Sequence, residues 1–327
     1  MFEIPVITTT LMEILRVEQL CKKYTKTGLF GSKDVVRAAD GVTFSVNQGE
    51  VLVLAGESGS GKSTIAKMIL QSVIQDSGSI YFEGDIVDEK GKKKLQSSCQ
   101  MIHQDPYDSI NPRMKIGDII SEPLEIHGMG TKKERHDRTL EVLREVRLEP
   151  AEEIIKKYPH MLSGGQRQRV VLARALAPRP KMILADEPVS MLDVSVRAEM
   201  LEMFQEMQKK HDISFVYITH DLATARYFGH KIAILYLGRI VETGLMDTVL
   251  HSPRHPYTQA LIDAVSEPDP ANLHRQKKIR ITQQDADIIH GCRFADRCPH
   301  LVDKCKTDPE LEEIEKDHHT ACHVNPD

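Results

Sequence analysis

The sequence has no long hydrophobic run, no marked excess of one charge sign and no closely spaced cysteine pair. Its longest apolar stretches, residues 181–185 and 232–237, are strand-sized. They fall far short of the roughly 20 residues needed to cross a bilayer. The opening segment MFEIPVITTTLMEILRV lacks a basic stretch followed by an apolar core, so it does not read as a secretory signal, and the expected location is the cytoplasm. The first eleven residues read as a tail ahead of the first regular segment. Forty-three Lys and Arg stand against 48 Asp and Glu, a formal charge of -5. That balance removes the global basicity of a nucleic-acid binder. No internal repeat is evident, which argues against solenoids and propellers.

What is present is an ordinary globular balance over 327 residues, with 40% hydrophobic and 28% charged. That length suits about two domains, or one α/β domain with an appendage. Strands are predicted at residues 14–20, 43–46, 50–55, 79–82, 99–103, 181–185, 214–219 and 231–237, with a polar segment at 22–33. Helical spacing at 64–71 follows a glycine-rich turn. Short apolar strands separated by helices argue for an α/β core. Residues 106–178 contain helical segments at 116–127 and 132–146 and no strand candidate. They read as a helical subdomain inserted between core strands. A short helix is expected at 247–251, then a proline-containing junction and a polar tail from residue 277.

The turn reads Gly56-Glu-Ser58-Gly59-Ser-Gly61-Lys62-Ser63, then Thr64. It fits G-x-x-x-x-G-K-[ST] between a strand and a helix, the context in which backbone N–H groups cradle phosphates. Lys62 can reach the β- and γ-phosphates, and the Ser63 hydroxyl can ligate Mg²⁺. Residues 181–187, KMILADE, place Asp186 and Glu187 at the C-terminal edge of an apolar strand, where open α/β sheets bind ligands. Asp186 can hold Mg²⁺, and Glu187 is placed to act as general base on a water.

Residues 162–166, LSGGQ, together with the phosphate loop, make the chain resemble the ATP-binding cassette (ABC) ATPases. The resemblance covers about residues 13–250. It implies a P-loop α/β core with an antiparallel β-subdomain. It also implies that Tyr24 stacks on adenine and that Gln104 in IHQDPY is the Q-loop glutamine, contacting Mg²⁺ and the attacking water. Ser163, Gly164, Gly165 and Gln166 would be the signature, Asp193 in SMLD the D-loop aspartate and His220 in YITHD the switch histidine. In that family the signature of one subunit closes on the triphosphate held by its partner. Met191 departs from the small residue usual in the D-loop, and Met161 from the acidic residue that many relatives carry before the signature.

Residues 25–44, 103–124 and 251–270 further resemble the dipeptide/oligopeptide importer branch. That implies pairing with a second ABC ATPase, as a heterodimer or a homodimer, and with two membrane permeases, served by an extracytoplasmic substrate-binding protein. The place implied is peripheral, on the cytoplasmic face of the cell membrane. Residues 107–114 would meet the permeases. Nickel, opines or sugars remain alternative solutes. A soluble repair or ribosome protein and an iron–sulfur assembly ATPase are further alternatives; the first fits a single cassette poorly, and the second lacks this tail.

Six cysteines are present, four of them in the last 36 residues: Cys292, Cys298, Cys305 and Cys322. Disulfides are disfavoured in a reducing compartment, so a metal site is the more natural reading. The spacing resembles that of the branch's [4Fe–4S] site, with Zn²⁺ the alternative. The expectation is therefore a metal-stapled extension over residues 251–327, since so polar a tail lacks a core of its own.

Overall fold

The computed structural model describes residues 12–27, 33–105, 109–264 and 291–326. The expected N-terminal tail, residues 107 and 108 of the expected permease contact, and residues 265–290 of the junction and tail lie outside them.

Two sheets carry the fold. A four-stranded antiparallel sheet is ordered β2 (Lys33–Asn47), β1 (Glu13–Thr27), β4 (Ser77–Phe82) and β5 (Asp85–Ile86). The polar segment at 22–33 does not end the first strand as expected. Instead β1 and β2 pair from Glu13↔Asn47 to Thr27↔Lys33, because a hairpin satisfies its backbone groups whatever the polarity of its side chains.

The larger sheet centres on β3 (Val51–Ala55), flanked in parallel by β8 (Ser214–Thr219) and β9 (Lys231–Tyr236). Beyond β8 come β7 (Met182–Asp186) and β6 (Cys99–Ile102), also parallel. Alternate residues of β3 feed opposite cores. Val51, Val53 and Ala55 face one, Leu52 and Leu54 the other. Burial on both faces explains why these strands read as unbroken apolar runs. The second core joins the β-sheet to α1 (Lys62–Ile69) through Ile65, Ala66, Met68 and Ile69.

Leu95 of α2 (Gly91–Ser98), the helix before β6, joins the second core. The first core holds the helical subdomain that follows β6: α3 (Ile116–Ile126), α4 (Lys132–Glu145) and α5 (Ala151–Ile154). Thr131 starts α4 with a reciprocal capping box to Glu134. These helices pack on α6 (Gly164–Leu176), which leads into β7. Helices α7 (Val194–His211) and α8 (Leu222–Phe228) cover the same face.

The C-terminal extension docks by a strand that the sequence reading did not foresee. After β10 (Arg239–Leu245), α9 (Met246–His251) and α10 (Pro256–Ala264), the chain returns as β11 (Glu312–Glu315) and β12 (His318–Thr320). β12 pairs antiparallel with β10, from Glu242↔Thr320 to Gly244↔His318. Strand addition supplies main-chain hydrogen bonds without a hydrophobic core. Buried between the strands, His318 Nε2 lies 2.7 Å from a Glu242 carboxylate oxygen, and the same carboxylate accepts the Arg254 and His255 N–H groups. Phe294, Cys292 and Cys305 join the main core. Among the described residues, no metal staple is shown. Sheet extension and aromatic packing already fasten the extension.

Candidate nucleotide site

The phosphate loop turns from β3 into α1. Gly61 lies at φ 106°, and a Cβ there would overlap the Ala38 carbonyl of β2; a Cβ on Gly56 would overlap the Leu235 carbonyl. Only glycine fits where two sheets press this closely on the loop. Gly61, Lys62, Ser63 and Thr64 open α1, while Ser58 and Gly59 lie exposed on the turn. Lys62 is buried, its ammonium donating to the Gly56 and Glu57 carbonyls at 2.7 and 2.8 Å and to Ser60 Oγ at 3.3 Å. Burial lowers its pKa against the pull of Glu187, Asp186 and Glu57.

Asp186 ends β7 beside this lysine. Burial raises its pKa, and a hydrogen bond from Ser63 offsets part of that rise. Ser63 and Asp186 thus meet as hard oxygen donors of the kind a Mg²⁺ ion takes. Glu187 follows at φ 47°, a left-handed conformation that is costly for a side chain of this size and concentrated at functional sites. That turn aims its carboxylate at two partners. Gln104 Nε2 donates to one oxygen at 3.0 Å, and His220 Nδ1 lies 3.0 Å from the other. The chain therefore brings together Gln104 from the end of β6, Glu187 from β7 and His220 from β8. A cavity of about 40 Å³ borders Glu187 and His220, enough for a water.

Ser163 caps α6. Its hydroxyl accepts the Gln166 N–H at 3.2 Å, and the Gln166 side-chain oxygen accepts the Ser163 N–H at 3.0 Å. With Gly164 exposed and Gly165 half-buried against Val196, the helix start faces outward. Among the described residues, no hydrogen bond or ion pair joins this signature to the phosphate loop of the same chain. Asp193 precedes α7 in an exposed position without a side-chain capping bond, and Met161, Met191 and Val194 are also exposed. Tyr24 stands exposed on the β1–β2 hairpin, apart from the loop's hydrogen bonds.

Comparison with known proteins decides the family. Residues 39–190 match the family described as ABC transporter, and residues 241–305 match the oligopeptide/dipeptide transporter C-terminal region. A probable peptide ABC transporter ATP-binding protein of Sinorhizobium fredii is 41% identical, covering 95% of this chain and 90% of that one. The chain belongs to the ATP-binding proteins of ABC transporters. A di/tripeptide transport ATP-binding protein of Pseudomonas aeruginosa is 39% identical over 95% of this chain and 97% of its own length. Among solved structures, cbiO1 of Clostridium perfringens, part of the ABC transporter complex cbiONQ, aligns with TM-score 0.64 at 27% identity, over 73% of this chain and 91% of that one. A dimeric ATP-binding cassette bound to ADP and phosphate aligns with TM-score 0.62 at 27% identity, over 71% and 99%. The activity of this ABC ATPase is ATP hydrolysis coupled to transport.

Cys292, Cys298, Cys305 and Cys322 form no disulfide. Burial pushes the Cys292 thiol up to about 11, with smaller contributions from the other three, and burial also raises Cys298. Among the described residues, no three His, Cys, Asp or Glu groups are gathered to hold a metal ion. The zinc alternative is therefore left without a ready-made ion site. The iron–sulfur expectation is likewise left without a ready-made ion site.

Sequence reasoning missed two features of this site. Gln168, buried on α6, donates to the Pro188 carbonyl at 2.5 Å. Arg297 of the extension grips Glu57 of the phosphate loop. Neither carried a sequence signal, because each joins segments that only the fold makes neighbours.

Proposed function

We propose that this chain is the ATP-hydrolysing subunit of an importer of di- or oligopeptides, working as a head-to-tail ATPase pair beneath two permeases. The cassette would occupy residues 13–250, with its helical subdomain at about 106–178, and the extension residues 251–327. The Gln104–Glu187–His220 chain beside the Lys62 loop carries the catalytic part of this reading. The named relatives carry the peptide part.

Triphosphate would lie in the loop of Gly56, Ser58, Gly59, Gly61, Lys62, Ser63 and Thr64, with Lys62 leaving its carbonyl partners for the β- and γ-phosphates. Tyr24 would stack on adenine. Ser63, Asp186 and Gln104 would hold Mg²⁺, which when bound neutralises phosphate charge. Glu187 would take the proton of the attacking water, and His220 would orient that water and the γ-phosphate. The outward-facing Ser163, Gly164, Gly165 and Gln166 of one chain would complete the site of the other, with Asp193 and the exposed Met161, Met191 and Val194 along the seam. Loss of γ-phosphate contacts on hydrolysis then reopens it.

Exposed residues 111–113 fit a permease contact. Among the described residues, no helix is long and apolar enough to cross a membrane, which agrees with peripheral attachment at the cytoplasmic face. The partner ATPase would be a related chain rather than a copy. An extracytoplasmic binding protein would deliver the solute, and no nucleic acid is involved. Cys292, Cys298, Cys305 and Cys322 would hold a structural [4Fe–4S] cluster, which would supply a cross-link within the extension.

The test is reconstitution with the cognate permeases in vesicles. Peptide-loaded binding protein should stimulate ATP hydrolysis and peptide uptake, and nickel should not. Stimulation by nickel alone would reassign the solute. Hydrolysis without any uptake would detach the chain from import.

A further inference from the structure

Among the described residues, the cysteine-bearing extension reaches the phosphate loop at Glu57. Glu57, second in the loop, is held on several sides. Its N–H donates to Tyr257 Oη at 2.9 Å, and its carbonyl accepts from Lys62 at 2.8 Å. Its carboxylate accepts both terminal nitrogens of Arg297, at 3.1 and 3.2 Å. The Arg297 guanidinium lies 5.5 Å from the Phe294 ring and 5.8 Å from the Tyr236 ring. Tyr236, Tyr257 and Phe294 pack as a trio with centroids 4.4 to 5.6 Å apart. Arg297 immediately precedes Cys298. The outer wall of the loop is thus built by a segment 240 residues further along the chain.

A carboxylate at this position is a liability, since the loop must present positive potential to a highly anionic triphosphate. A two-pronged guanidinium–carboxylate bond both cancels that charge and fixes its direction. We propose that Arg297 is a positioning residue for nucleotide: it neutralises Glu57 and holds the outer side of the phosphate loop, so that the extension sets the affinity for ATP. This rests on the reading that triphosphate binds at the Lys62 loop.

The two partners should behave asymmetrically. Removing Arg297 leaves an unpaired carboxylate beside the phosphates. Removing the Glu57 charge leaves an attractive guanidinium. Binding of a fluorescent ATP analogue to the full-length chain reads this directly. Because the Glu57 side chain is 46% exposed and that of Arg297 12%, solvent screens part of the effect. Arg297→Ala should weaken binding about fivefold and raise the KM for ATP at nearly constant kcat. Glu57→Gln alone should bind within about twofold of wild type, and adding it to Arg297→Ala should restore binding to that range. A loss of extension packing could not be repaired by Glu57→Gln, so rescue separates positioning from mere stability. Thermal melting without nucleotide reports whether each variant is folded, and Arg297→Lys supplies a milder variant with an intermediate affinity. Wild-type binding by Arg297→Ala, or a double variant no better than the single, overturns the inference. Lys62→Ala tests the underlying site on its own. If that variant binds normally, the site itself is misplaced; if it loses binding while Arg297→Ala does not, only the positioning role fails.

Discussion

Gln168 on the signature helix donates its side-chain amide to the carbonyl of Pro188, the residue that follows Glu187. The helix that would face a partner's triphosphate is thereby fastened to the turn that aims the base of its own site. Both groups are out of reach of bulk water at the bond, so nothing replaces it when it is cut. Gln168→Leu should cost about 1–3 kcal/mol of stability through the orphaned carbonyl. It should also lower kcat for ATP hydrolysis several-fold while leaving nucleotide affinity near wild type. Denaturant melts and single-turnover kinetics on the same preparation check both halves.

Glu187→Gln keeps the shape of the side chain and its contacts toward Gln104 and His220 but removes the proton acceptor. Hydrolysis should fall by about 10²–10⁴-fold, with ATP retained and dimers accumulating on size exclusion. Wild-type turnover in this variant would take Glu187 out of the chemistry.

His255 is buried, and its Nδ1 accepts the Tyr257 N–H at 3.0 Å. Burial pushes its pKa down to about 4 from an ordinary 6.5. The unfolded chain therefore takes up this proton first as pH falls. Stability is full above about pH 6.5 and declines toward pH 4, by roughly 3 kcal/mol in all from this group. His255→Gln, which keeps an acceptor and cannot titrate, should flatten the fall in melting temperature across that window. An unchanged slope would assign the acid sensitivity to other groups.

Anaerobic purification addresses the cysteines. A brown protein containing about four irons per chain, with colour lost in Cys298→Ser and Cys305→Ser, is the outcome expected of a [4Fe–4S] ligand set. Zinc without iron would overturn it.

The antiparallel hairpin and the C-terminal extension mark where reading the sequence failed. Residues 22–33 looked too polar for a strand, yet the pairing of β1 with β2 needs only backbone groups. The extension looked too polar to fasten itself, and β12 solves that by joining the edge of the core sheet. Periodicity reports side-chain burial; it says nothing of a partner strand some 75 residues away.

The sequence by itself determined the phosphate loop, the carboxylates at the end of β7, the signature helix start and the places of most core strands along the chain. Each is a local matter, in which glycine freedom, strand hydrophobicity and capping act within a few residues. Only the tertiary structure decided that Glu187 lies between Gln104 and His220, that Gln168 ties the signature to Pro188, and that Arg297 backs the phosphate loop. Those contacts are made by side chains from separate strands and lobes, and their geometry exists only once the parallel sheet has brought the strand ends together along one edge.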